Sequence, residues 1–133
     1  MNLHTLNLWA ILAAAFSAFL VGGLWYAPFF LGAAWKRANR FPSDPPPAGA
    51  KVFLLSFLFS LIMAINLAMF LNDAKTTLAW GATAGFLAGF GWVAMGIAIV
   101  AQFERRPWSY VLINGGYLTV SLTLMGAILG AWR

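Results

Sequence analysis

Residues 78–102 read LAWGATAGFLAGFGWVAMGIAIVAQ, and no charged side chain interrupts them. At ~1.5 Å of rise per residue such a stretch covers a ~30 Å hydrocarbon layer, so it is read as a transmembrane helix. Its glycines have a period. Gly81, Gly85 and Gly89 recur every fourth residue, and at ~100° per residue Trp92 and Gly96 project onto the same side. A face without side-chain bulk lets the backbone of another helix approach closely.

The rest of the chain is of the same kind. With 62% hydrophobic and 8% charged residues and a mean hydropathy of +0.83, it lies far from soluble domains, in which about 25% of residues are charged. Three further apolar runs, about 8–31, 52–71 and 110–132, join 78–102 in an expected all-α, single-domain (1–133) integral-membrane four-helix bundle. The first run lacks the basic residues that precede a signal-peptide core and is about twice as long as such a core, so it is read as a retained helix. Trp25, Tyr26 and Pro28 mark its far end. FPSDPPPAGA at 41–50 favours polyproline II and reads as a stiff connector. NDAKTT at 72–77 is short and nearly neutral, which predicts an antiparallel hairpin of the second and third helices.

Lys36, Arg37, Arg40, Lys51, Arg105 and Arg106 fall in the first and third loops, and only Lys75 and Arg133 on the opposite side. The positive-inside bias then predicts both chain ends outside the cytoplasm. Because these cations adjoin hydrophobic runs and form no surface stripe, the net charge of +5 points to membrane lipid and not to nucleic acid. Glu104 sits among them. Its neighbours Arg105 and Arg106 do not share its helical face, so pairing with Lys36, Arg37 or Arg40 is predicted.

The absence of cysteine and the single histidine, His4, leave almost no ligand set for a metal, and no cofactor is expected. The predicted spans contain no Asp, Glu, Lys, Arg, His or Cys, and their serines and threonines have no base beside them. Acid–base or nucleophilic catalysis and proton-coupled transport are therefore not expected. The uncharged polar groups are Asn66, Trp92, Asn114, Tyr117 and Ser121. Trp92 and Tyr117 fall at similar depth and each carries a polar hydrogen that needs a partner, which predicts an interior cluster of Trp92, Asn114 and Tyr117. Ser121 shares their helix face and Asn66 lies toward the other membrane surface. Such a cluster either joins helices or lines a pocket in a small channel or transporter for a neutral or amphipathic solute. On the opposite side of the fourth helix, Gly116, Thr119, Thr123, Gly126 and Gly130 form a small-residue stripe that lipid does not require. It is expected to meet a neighbouring copy, giving a homo-oligomer, by default a dimer, that serves as an interaction or assembly unit.

GGLWYAPFFLGAAWKR (22–37), FERRPWSYVLINGGY (103–117) and MGAILGAW (125–132) resemble the bacterial membrane-protein family catalogued as domain of unknown function 1761. The resemblance covers nearly the whole chain. It implies four transmembrane helices and brings with it no activity, substrate or catalytic residue.

Overall fold

Asn7 starts the first long helix. Its side-chain oxygen accepts the backbone N–H groups of Trp9 and Ala10, both at 3.1 Å, donors that no preceding turn can satisfy. In the computed structural model, which describes residues 3–133, α1 runs Leu8–Trp25, followed by a short α2, Gly32–Asn39, and then α3, Ala50–Phe70. A third rod is built from α4 (Leu78–Ala88), a π-helical turn (Gly89–Ala94) and α5 (Met95–Glu104), and α6 spans Trp108–Ala131. Thr77 opens α4 as Asn7 opens α1, accepting the Trp80 N–H at 3.1 Å. The described residues form helices and connections without a strand, and 4 helical spans are long and apolar enough to cross a membrane.

The expected first helix of 8–31 stops at Trp25. Pro28 has no N–H to give and disfavours helical backbone in the residue before it, so the chain turns at 26–31. Hydrogen bonds from the Leu31 N–H to Trp25 O (3.2 Å) and from the Gly32 N–H to Ala27 O (3.0 Å) close this turn. A Cβ at residue 32 would lie 2.7 Å from Tyr26 O and 2.9 Å from Ala27 O, so only glycine fits there. α2 is therefore a separate helix, with Lys36 and Arg37 in its last turn.

α6 is the central element. One side packs on the α4–α5 rod and the other on α1, while α3 packs on α1 and touches α6 only lightly. The apolar core lies between α1, α3 and α6, where Ala10, Ala14 and Ala18 meet Ala64, Leu67 and Ala68, with Leu122, Met125 and Leu129 behind them. Phe19 adds edge-to-face contacts with Phe53 and Phe57, at ring-centroid distances of 5.8 and 6.3 Å. The expected hairpin of the second and third helices is corrected here: α3 and α4 are joined by a short turn, but a groove separates them. That turn is tied to the end of the chain. Arg133 donates from Nη1 to Leu71 O (2.8 Å) and from Nη2 to Asp73 O (2.7 Å), adding to the hydrogen bonds that these carbonyls accept within the turn.

Candidate functional site

The α4–α6 contact is made by missing side chains. A Cβ at Gly81 would press on the carbonyl oxygen of Gly126, and one at Gly126 on that of Gly81; Gly85 stands in the same relation to Leu122, and Gly130 to Thr77. The two small-residue faces thus meet inside one chain. Gly126 and Gly130, expected to face a neighbouring copy, are instead covered by α4.

Beyond Gly89 the face changes register. The buried positions of the rod are Gly81, Gly85, Gly89, Ala94 and Ala101, so one step has five residues in place of four. That step is the π turn, whose extra residue rotates all that follows by ~100° relative to an unbroken α-helix. Ala94 now packs on Gly115, where an added Cβ would lie 3.0 Å from that of Ala94. Trp92 and Gly96 leave the seam: Trp92 is 72% exposed, and a Cβ at Gly96 would meet nothing within 4 Å.

The remaining polar residues find a different partner from the one expected. Trp92 does not join Asn114 and Tyr117. Tyr26, from the turn after α1, donates its hydroxyl to Asn114 Oδ1 at 2.6 Å, and the Asn114 amide donates to Tyr110 O at 3.0 Å. The Tyr26 ring meets those of Tyr117 and Trp35 edge-to-face at 5.3 and 5.9 Å. Beside it the Trp25 indole donates to Ile113 O at 2.8 Å, and the Tyr117 hydroxyl reaches Ala18 O at 3.4 Å. Glycines make room for these rings, since a Cβ at Gly22 would lie 3.2 Å from the Tyr117 hydroxyl and one at Gly116 3.0 Å from the Trp25 ring. The segments 22–37 and 103–117 therefore meet as one aromatic junction. Tyr26 was the partner that sequence reasoning missed, because its place at the helix end suggested only an interfacial ring. Ser121 is 1% exposed, and its Oγ has no hydrogen-bond partner among the described residues.

At the same end, Glu104 pairs with Arg106 (3.3 Å) and not with the first loop as expected. The reason is backbone. Arg105 adopts a left-handed conformation (φ 56°) that ends α5, the Arg106 N–H reaches back to Ala101 O at 2.9 Å, and the reversal brings Arg106 over Glu104. Arg106 itself joins the two loops, donating from Nη1 to Asn39 O at 3.2 Å while its guanidinium stands 5.3 Å from the centre of the Tyr110 ring. Lys36 pairs with Asp44 at 3.5 Å; no ion pair or side-chain hydrogen bond is made by Arg37, Arg40 or Arg105 among the described residues.

A groove of about 430 Å³ lies between α3 and α4. Met63, Leu67 and Phe70 line it from α3, and Trp80, Ala84, Leu87 and Ala88 from α4. Val93 of the π turn and Leu122 of α6 complete its apolar wall. Two lining residues have polar side-chain atoms besides the Trp80 indole: Asn66, whose amide donates to Ile62 O of its own helix at 2.9 Å, and Trp92. Phe70 and Trp92 face each other edge-to-face across it at 6.5 Å. None of the lining residues is an acid, a base or a nucleophile, so the arrangement suits binding or passage and offers no acid–base or nucleophilic chemistry.

No curated protein and no solved structure matches the chain. A family model described as "Protein of unknown function (DUF1761)" matches residues 9–130, which include both halves of the aromatic junction, the glycine seam and the groove. The chain therefore belongs to the DUF1761 family.

Proposed function

We propose that this protein is a multi-pass protein of the bacterial inner membrane, with both chain ends on the non-cytoplasmic side, whose α3–α4 groove binds an apolar or amphipathic molecule dissolved in the bilayer. The orientation is supported by Lys36, Arg37, Arg40, Lys51, Arg105 and Arg106 at one end against Lys75 and Arg133 at the other. The groove carries the binding reading. At about 430 Å³ it lies within the ~300–1,000 Å³ of small-molecule sites, and it is walled by apolar side chains with a few polar groups, as such sites are. Its floor is Leu122 of α6 and its walls are two membrane spans, so it opens sideways between them, toward lipid. The role is binding, or passage of the molecule across the membrane, without covalent catalysis.

Self-association is the competing use of the same face. Its earlier basis, the Gly126 and Gly130 stripe, is occupied by α4, which leaves the α3–α4 face as the place for a second copy. Mass spectrometry of the intact protein, extracted in mild detergent, separates the two. The expected result is a monomer carrying a non-covalent small-molecule adduct that is lost in Ala84→Trp, which fills the groove. An adduct retained in Ala84→Trp, or none in the parent, overturns the binding reading; a dimer broken up by Ala84→Trp assigns the groove to assembly.

A further inference from the structure

Nearly every polar side chain in the middle of the spans is satisfied by its own or a neighbouring helix. The hydroxyls of Ser17, Ser60, Thr83, Thr119 and Thr123 bond to carbonyls of the preceding turn, as does the amide of Asn66. Ser121 is enclosed by protein. Trp92 differs from all of these. Its indole N–H lies too far out on a rigid ring to reach its own helix, it has no hydrogen-bond partner among the described residues, and residue 92 stands near the middle of the 27-residue rod Leu78–Glu104. Trp25, by contrast, finds Ile113 O.

The π turn gives this donor its position. In an unbroken helix Trp92 would project onto the Gly81–Gly85–Gly89 face and collide with α6; the extra residue swings it onto the groove, where Phe70 holds the ring edge-to-face at 6.5 Å. An indole donates and cannot accept, so its complement is an acceptor. A phospholipid cannot supply one here, since its ester carbonyls lie at the interface, ~15 Å from the bilayer centre, and only methylene groups reach that depth.

We propose that the groove is selective for a lipid-soluble carbonyl compound, of the kind of a quinone bearing an apolar tail, whose carbonyl oxygen accepts the indole N–H of Trp92 while its tail lies along α3 and α4. This rests on the binding reading above and adds the class of ligand. The hydrogen bond forms in an apolar groove, and a single such bond is expected to change affinity by about tenfold, ~1.4 kcal/mol.

The test uses two probes of equal tail length, 2-decyl-1,4-benzoquinone and decylbenzene, titrated into the full-length 15N-labelled protein in lipid nanodiscs and followed by NMR. The Trp92 indole signal is identified by its loss in Trp92→Phe, which keeps a ring against Phe70 and lies outside the α4–α6 seam. The expected outcome is that both probes perturb groove residues, the quinone binds about tenfold more tightly, only the quinone moves the Trp92 indole proton downfield, and Trp92→Phe abolishes the preference. Equal affinities with an unmoved indole proton overturn the carbonyl selectivity and leave the groove reading standing. If neither probe perturbs the groove in the parent, both are overturned.

Discussion

Replacing Gly126 by alanine places one methyl group in the α4–α6 seam. Its carbon would press on the carbonyl oxygen of Gly81 and lie 2.8 Å from the carbonyl carbon behind it and 3.2 Å from Gly85 N. Carbon atoms rest at ~3.5–4.0 Å, so α4 and α6 must part by roughly 1 Å along a seam that has no long side chains to fill the gap. Overpacking of this kind costs about 1–3 kcal/mol, and alanine's better helix propensity returns ~1 kcal/mol, leaving a net loss of up to about 2 kcal/mol. Gly96→Ala, where a Cβ meets nothing within 4 Å, retains only the propensity gain and should be neutral or stabilising. Reversible unfolding in mixed micelles of increasing SDS content, followed by far-ultraviolet circular dichroism, measures both. Gly81→Ala should behave like Gly126→Ala. The double variant should lose less than the sum by ~0.5 kcal/mol or more, because the first methyl already opens the gap that the second needs. Equal stability of Gly126→Ala and Gly96→Ala would refute the seam.

Tyr26→Phe removes the donor at 2.6 Å from Asn114 Oδ1 and should cost about 1–2 kcal/mol in the same assay, whereas Phe30, packed on Trp25 at 5.6 Å but 54% exposed, should tolerate leucine with a smaller loss. Arg106→Ala should cost about 1 kcal/mol or more through Asn39 O and the Tyr110 ring, while Glu104→Gln, in an exposed pair, should cost ~0.5 kcal/mol or less; the reverse order would show that the ion pair and not the bridge joins the loops. Arg133→Ala removes the side-chain donors from the carbonyls of Leu71 and Asp73, leaving only the bonds made within the turn, so trypsin should cut after Lys75 several-fold faster than in the parent, and an unchanged rate would show that those bonds suffice to hold it.

The spans were legible because their signal is summed over many residues: α3, the α4–α5 rod and α6 begin and end within two residues of the apolar runs. Single positions were harder. The period of Gly81, Gly85 and Gly89 correctly marks a close-packed face, but projecting it past Gly89 assumes 3.6 residues per turn, and the π turn breaks that assumption just before Trp92. No residue type announces such a turn. Gly126 and Gly130 were read as surplus on the same footing, since an angular projection shows that a face is small without saying which helix covers it. Glu104 failed for a local reason. Pairing was judged as if α5 continued, yet the chain reverses at Arg105 without the glycine that usually marks a left-handed helix end. The junction of Tyr26 with Asn114 depends on where the turn at Pro28 aims the ring, which is a tertiary fact.

The close seam also accounts for the groove. α6 holds α4 by backbone contact on one face and α1 on another, and α1 in turn carries α3 through Ala10, Ala14, Ala64 and Ala68. The third and fourth walls of a closed bundle therefore belong to different neighbours, and the breadth of α6 keeps them apart. At the end that bears the chain termini, the turn at 71–77, its Thr76 hydroxyl on Leu71 O at 2.9 Å and the Arg133 clamp draw α3 and α4 together. From the last residue of α3, Phe70 reaches the Trp92 ring, the one ring contact between the two walls among the described residues. A molecule reaching Leu122 from the aqueous side would have to pass the clamped turn, whereas one already in the bilayer has only to displace two exposed rings. On the binding role proposed above, entry from lipid would thus be the route of least rearrangement, and it would bring the molecule past the indole N–H of Trp92 before it reaches the floor.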